Sequence, residues 1–217
     1  MRGLFITFEG GEGSGKTTQI QHLKNWIESN LDSVNLCLTR EPGGTVEAES
    51  IRALLLNGAA SKWQPATEAM MMSASRHEHV IHVIKPALSR GDIVICDRFT
   101  DSTHVYQGYV GGVDNALLDG LDQLSCQGLV PDLTFFLDMD SNAGLARTIQ
   151  RGNAESRFES KGAAFHENVR QGFVERAEKY PDRIAKIDAA RPADAVTKDV
   201  IAAVRALLVA KGMIAAS

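Results

Sequence analysis

The feature that most constrains the fold is a short apolar run, Leu4–Glu9, that breaks into Gly10-Gly11-Glu12-Gly13-Ser14-Gly15-Lys16-Thr17. Helical spacing follows at Ile20, Leu23, Ile27 and Leu31. This is G-x-x-x-x-G-K-T in its meaningful context, after a strand and before a helix. The glycines let consecutive backbone N–H groups curl around a phosphate, and the helix start adds partial positive charge. Lys16 is then expected to reach the β- and γ-phosphates of a nucleoside triphosphate, with the Thr17 hydroxyl on Mg²⁺. Gly10, Gly11, Glu12, Gly13, Ser14, Gly15, Lys16, Thr17 and Thr18 form the expected donor site.

Four further apolar runs read as strands: Asn35–Thr39, Asp92–Asp97, Leu133–Asp138 and Arg183–Asp188. Helical stripes lie between them. Val80, Ile81, Ile84 and Leu88 form one, with Pro86 predicting a kink or break. Others are Leu117, Leu118, Leu121 and Leu124; Phe165, Val169, Phe173, Ala177 and Tyr180; and Val196, Val200, Val204 and Leu207, with Pro192 in the first turn. Strands alternating with helices predict an α/β fold, a five-stranded parallel sheet with helices on both faces. Ligands in such sheets bind beyond the carboxyl ends of the strands. No linker or repeat divides the chain, so residues 1–217 are expected to form a single domain. Gly152–Ala164 is polar and aperiodic, and a lid is expected over approximately residues 148–164.

With 217 residues and 44% apolar content, the chain can bury a full core. A net charge of −4 argues against nucleic acid or an acidic membrane as a general partner. No apolar run reaches the ~18 residues of a membrane helix, and Met1-Arg2-Gly3 leads straight into a strand without a secretory leader. A cytoplasmic protein is expected, with Cys37, Cys96 and Cys126 as buried reduced thiols.

The strand ends carry the second chemical signal. Ile93–Cys96 ends in Asp97, a carboxylate placed to hold Mg²⁺, often through water. Arg40 follows the second strand and Arg98 the third. Arg76 lies on the long middle helix, and Arg147, Arg151 and Arg157 lie in or beside the lid. A guanidinium donates two parallel hydrogen bonds to a phosphate. A surface ion pair is the default explanation for any single arginine, but Arg40 and Arg98 stand where a second phosphorylated substrate would lie. A mobile lid arginine can stabilise charge on a phosphoryl group in flight, and lid closure excludes water. No N-K-x-D run for guanine is present.

These motifs resemble the bacterial thymidylate kinase family, within the P-loop nucleoside monophosphate kinases, over nearly the whole chain. The likeness rests on Phe8-Glu9-Gly10, Thr39-Arg40-Glu41-Pro42-Gly43-Gly44-Thr45, Asp97-Arg98-Phe99, and Ser102-Thr103 with Tyr106-Gln107-Gly108. Gly128–Thr134 and Arg147…Arg151-Gly152…Arg157-Phe158-Glu159 add to it. The resemblance implies a transferase using ATP and Mg²⁺ to convert dTMP to dTDP in nucleotide biosynthesis, typically as a homodimer. It implies Glu12 on the acceptor 3′-hydroxyl, Arg40 and Arg98 on the dTMP phosphate, and Arg76 at the thymine edge. Ser102 and Thr103 would lie near the base, Tyr106 against the sugar at C2′, and Gln107 in the same acceptor motif. Gly13 stands where some members carry arginine, which makes Arg147, Arg151 and Arg157 the catalytic candidates beside Lys16 and Arg98. Met72 stands where an aromatic commonly stacks on thymine, and Ser156 where an aspartate often precedes the lid arginine. A thioether can still lie on a ring face.

His77, His79 and His82 do not have the spacing of a zinc helix and are expected to be solvated or at an interface. Trp26 and Trp63 are expected to pack rather than bind nucleic acid.

Overall fold

A computed structural model describes residues 2–31, 34–59, 61–150 and 161–215. The first strand, β1 (Leu4–Glu9), passes through the phosphate-binding loop into α1 (Lys16–Asn30), then β2 (Leu36–Arg40) and α2 (Val46–Leu56). Next comes α3 (Pro65–His79), which runs without a break through a wide π-helical turn, Val80–Ile84, into α4 (Lys85–Ser89). Proline lacks an N–H and its ring crowds the carbonyl four residues back. Instead of breaking the helix at Pro86, the chain widens over the preceding turn. After β3 (Ile93–Asp97), α5 (Thr100–Thr103) continues into a second π-helical turn, His104–Val110, and α6 (Asn115–Cys126) follows. The remainder is β4 (Leu133–Asp138), α7 (Ser141–Gln150), α8 (Ala163–Lys179), β5 (Ile184–Asp188) and α9 (Ala193–Ala210). Pro192 is the residue just before α9.

All pairings are parallel, in the order β2-β3-β1-β4-β5. The chain leaves β1 for an outer strand and returns to fill the gap with β3. The strand order therefore reverses beside β1, where such sheets open a crevice. Register brings the ends together: Asp97 of β3 lies beside Phe8 of β1 and Arg40 of β2. The core explains why these runs are strands. Leu4, Ile6 and Phe8 pack with Leu23 and Ile27 of α1 and Val196, Val200 and Val204 of α9 on one face. Phe5, Val94 and Cys96 pack with Val80, Ile84 and Leu88 on the other. Phe136 joins Val169 and Phe173 of α8 in a third cluster. Helices thus cover both faces, as expected.

The leucine stripe lies on α6 as its spacing implies, but of its four leucines only Leu118 is buried, while Leu117 is 43% and Leu124 73% exposed. Two expectations fail. Among the three histidines, His79 is fully buried rather than solvated or at an outer surface. Cys37, Cys96 and Cys126 are free thiols, though Cys37 is only half-buried.

Candidate active site

The glycine loop after β1 takes a conformation that suits a phosphate cradle. Gly13 and Gly15 have φ of 69° and 92°, in the left-handed region that glycine occupies without strain. Gly15 caps α1 without any side-chain hydrogen bond, so the first-turn N–H groups face the loop. The Lys16 ammonium lies across the loop, donating to Gly10 O (3.1 Å) and Gly11 O (3.0 Å). Burial and then Arg98 lower its pKa, against Asp97, Glu12 and Glu9, which raise it. Gly13 also explains itself sterically. A Cβ there would lie 2.0 Å from Gly144 O on α7, so a side chain of any kind is excluded while α7 rests on the loop.

Beyond the loop opens a cavity of about 320 Å³, a size typical of small-molecule sites. Glu12, Gly13, Ser14, Gly15, Lys16 and Thr17 form its floor, and Asp97 and Arg98 line it from the end of β3. Arg40, Met72, Arg76, Ser102, Thr103, Tyr106 and Gln107 complete the expected acceptor set on its walls. Asp97 Oδ1 is buried and has no hydrogen-bond partner among the described residues. Gly10, Gly11 and Thr18 do not line this cavity, although Gly11 borders a small adjoining one. Arg147 is exposed on α7 and does not line it either. Arg151 and Arg157 lie outside the described residues, as do Gly152, Ser156, Phe158 and Glu159.

Arg98 is the hub. Its φ of 68° is rare for a residue with a side chain, and it turns the guanidinium back beneath the loop. There it donates to Glu12 Oε1 (2.8 Å), Gly10 O (3.0 Å) and Ser102 Oγ (3.2 Å), and lies 5.4 Å from the centre of the Tyr106 ring. Buried Glu9 fixes the turn from behind. Its Oε1 accepts from Phe99 N (2.8 Å) and Ser102 N (3.3 Å), and its Oε2 from Ser102 Oγ (2.6 Å). Burial first, then Asp101, push the Glu9 carboxyl up to about 7. Burial would raise Glu12 too, but Arg98 and Lys16 outweigh it and hold that carboxyl below its ordinary value. Asp101 anchors α5, accepting from Arg176 and Arg183.

Arg40 is half-exposed and donates to both carboxylate oxygens of Glu49 at 2.9 and 3.0 Å. Arg76 is buried, donating from Nε to Glu41 Oε2 (2.8 Å) and from Nη2 to Thr103 Oγ1 (2.9 Å). Gln107 donates to Glu68 Oε2 (2.9 Å).

Sequence reasoning missed Arg52. It lies on α2, donates to Pro42 O (2.7 Å) and lines the same cavity as Arg40 and Arg98. Burial, then Arg40, lower its pKa. The available signal was the Thr45 N-cap with Glu47 and Glu49 in the next turn, which marks the start of α2, the helix that carries Arg52.

Comparison with known proteins agrees with this geometry. A family model described as thymidylate kinase matches residues 8–200. A thymidylate kinase of Caulobacter vibrioides is 50% identical over 196 residues, covering 90% of this chain and 93% of its own. One from Gloeobacter violaceus is 45% identical over 206 residues, with 94% and 96% covered. The crystal structure of thymidylate kinase from Ehrlichia chaffeensis superposes with a TM-score of 0.75 at 38% identity, covering 94% of this chain and 99% of that one.

Proposed function

The chain belongs to the thymidylate kinase family and phosphorylates dTMP to dTDP with ATP, and we propose that its 217 residues form one catalytic domain whose parts divide the reaction as follows. The loop amides and Lys16 hold the donor β- and γ-phosphates. Arg98, Arg40 and Arg52 hold the acceptor phosphate on the opposite wall. Glu12 meets the acceptor 3′-hydroxyl, Tyr106 packs on the sugar, and Arg76, Met72, Ser102, Thr103 and Gln107 surround the base. An oxygen of the dTMP phosphate forms the new bond to the γ-phosphorus as the bond to the β–γ bridging oxygen breaks, and ADP leaves. That oxygen is already anionic, so the protein supplies position and positive charge rather than a base.

Mg²⁺ fits the residues present. Asp97 Oδ1, without a hydrogen-bond partner among the described residues, shares the cavity with Thr17, a hard-oxygen pair suited to an ion that takes most of its ligands from phosphate and water. Bound there, the ion would neutralise charge on the phosphate oxygens. The arginine that meets the transferred phosphoryl comes from Arg147, Arg151 or Arg157. Arg147 is on α7, which touches the phosphate loop at Gly144.

A homodimer suits the surface. Large apolar side chains stay exposed at Leu54, Met70, Leu117 and Leu124, on α2, α3 and α6, with α3 packed against both others. The reading places the enzyme in the cytoplasm with its substrates, and no described helix is long and apolar enough to cross a membrane.

One observation carries the site assignment: Lys16 and four guanidiniums, those of Arg40, Arg52, Arg76 and Arg98, line a single cavity. The test is ADP release with dTMP, dCMP and thymidine as acceptors, in the wild type and Arg98→Ala. Two charge-assisted hydrogen bonds lost at ~1.5–3 kcal/mol each predict a fall of roughly 10²–10⁴ in kcat/KM for dTMP, with the KM for ATP little changed. Preference for thymidine or dCMP, ATP binding without dTMP-stimulated release, or an unaffected Arg98→Ala variant would each overturn it.

A further inference from the structure

We propose that His79 is a positioning residue for the acceptor base, acting through Glu41 on Arg76. The inference rests on the placing of Arg76 at the acceptor. His79 is wholly buried at the end of α3, yet its ring is not simply core filling, because both nitrogens have polar partners. Nε2 lies 2.6 Å from Thr39 Oγ1, and Nδ1 lies 3.1 Å from Glu41 Oε1. The other Glu41 oxygen accepts from Arg76 Nε at 2.8 Å, and Arg76 Nη2 donates to Thr103 Oγ1 at 2.9 Å. A continuous buried chain therefore runs from the end of β2 to two residues that line the cavity.

The direction of the bonds gives the chain its function. A carboxylate accepts, so Nδ1 carries the proton and donates to Glu41, leaving Nε2 to face the Thr39 hydroxyl. Glu41 is then held at both oxygens, one by His79 and one by Arg76, and cannot rotate away. Arg76 needs that restraint. A second carboxylate, Asp122, lies 3.7 Å from its Nη1 and is itself bonded to His104 Nε2 at 2.9 Å. With Glu41 loose, the guanidinium has a competing partner on α6, away from the Glu41–Thr103 arrangement.

The loop after β2 is built to admit the imidazole. Gly44 has φ of 96°, and a Cβ there would fall 2.3 Å from His79 Cδ2 and 2.6 Å from Nε2. The backbone of Gly43-Gly44 thus closes onto the ring, with Gly43 N donating to Ser75 Oγ at 3.2 Å. This fixes the ring against the loop that follows Arg40 and carries Glu41.

The experiment uses His79→Leu, His79→Asn and His79→Gln in the full chain. The asparagine amide falls near Nδ1 and keeps the Glu41 arm; the glutamine amide falls near Nε2 and keeps only the Thr39 arm. His79→Leu is expected to raise the KM for dTMP about tenfold, the loss of one charge-assisted hydrogen bond, with KM for ATP within about twofold. His79→Asn should recover most of the loss and His79→Gln should not. Equal effects on both substrates, or an unchanged KM for dTMP, would overturn the proposal. If His79→Leu fails to fold, the asparagine–glutamine pair decides, and equal KM values for dTMP would overturn it. Arg76→Lys separates the two readings. An unchanged KM for dTMP in that variant defeats the placing of Arg76 itself, whereas a raised one beside a normal His79→Leu defeats the relay alone.

Discussion

Gly144 is the most exposing test of how the phosphate loop is held. It lies inside α7, has ordinary helical φ, and its Cα faces the loop so closely that a Cβ would sit 2.4 Å from Glu12 O. An ordinary contact begins at 3.4 Å, and the opposing atom is backbone rather than the tip of a flexible side chain. Gly144→Ala must therefore push α7 and the loop apart by about 1 Å, and a misplacement of that size costs roughly 10²-fold in a positioned reaction, or ~2.7 kcal/mol of barrier. Helix propensity works in the opposite direction, since alanine in a helix interior gains ~0.8–1 kcal/mol over glycine. The expected signature is a split: kcat/KM for ATP, measured at saturating dTMP by ADP release, falls about a hundredfold, while the thermal midpoint holds or rises. Asn142→Ala, on the exposed side of the same helix, should leave the kinetics alone. A Gly144→Ala enzyme within about threefold of the wild type would refute the claim that α7 braces the loop.

Two further outcomes follow from buried charge. Asp101 is 1% exposed and paired with Arg176 and Arg183, so Asp101→Asn leaves two guanidiniums short of a counter-charge and should cost ~3–5 kcal/mol in denaturant unfolding. Glu9 keeps its proton in the folded chain up to about 7, whereas the unfolded chain releases it near 4.5. The folded state then binds more protons through that window, so this group's contribution to stability falls as pH rises across it. Glu9→Gln should flatten that part of the stability–pH profile; a profile unchanged by the substitution would contradict it. Glu12, Asp101 and Asp138 are shifted downward and act on the acid side of the window.

Much of this was legible in the sequence because a parallel sheet buried on both faces writes its strands as apolar runs, and function gathers where each run stops. Three strands begin one residue later than expected, at Leu36, Ile93 and Ile184, which moves no functional residue. The illegible parts depended on long-range partners. His79 reads as one of three polar helix residues, and only the end of β2, about forty positions earlier, makes it a buried hydrogen-bonding centre. The Leu117–Leu124 stripe shows helical spacing but not what covers it, so periodicity could not distinguish core from an open face. Arg52 was missed because α2 was not identified, although Thr45 caps it.

Three of the four arginines that line the cavity share a property that bears on specificity. Arg98 is paired with Glu12, Arg40 with Glu49, and Arg76 with Glu41. For Arg76 and Arg98 the pairing avoids the large cost of a buried cation without a counter-charge, whereas the half-exposed Arg40–Glu49 pair is worth little. It follows that a ligand gains only the difference between its own contacts and those it displaces. A dianionic phosphate exceeds one carboxylate in charge and in acceptor oxygens, so it can compete for Arg98 and Arg40. A neutral nucleoside cannot take Arg98, because breaking its pair with Glu12 would strand both a guanidinium and a carboxylate. On the proposed placing of the acceptor, Glu12 therefore acts as a threshold that a monophosphate clears and a nucleoside does not, and once released from Arg98 it would be free to accept from a sugar hydroxyl.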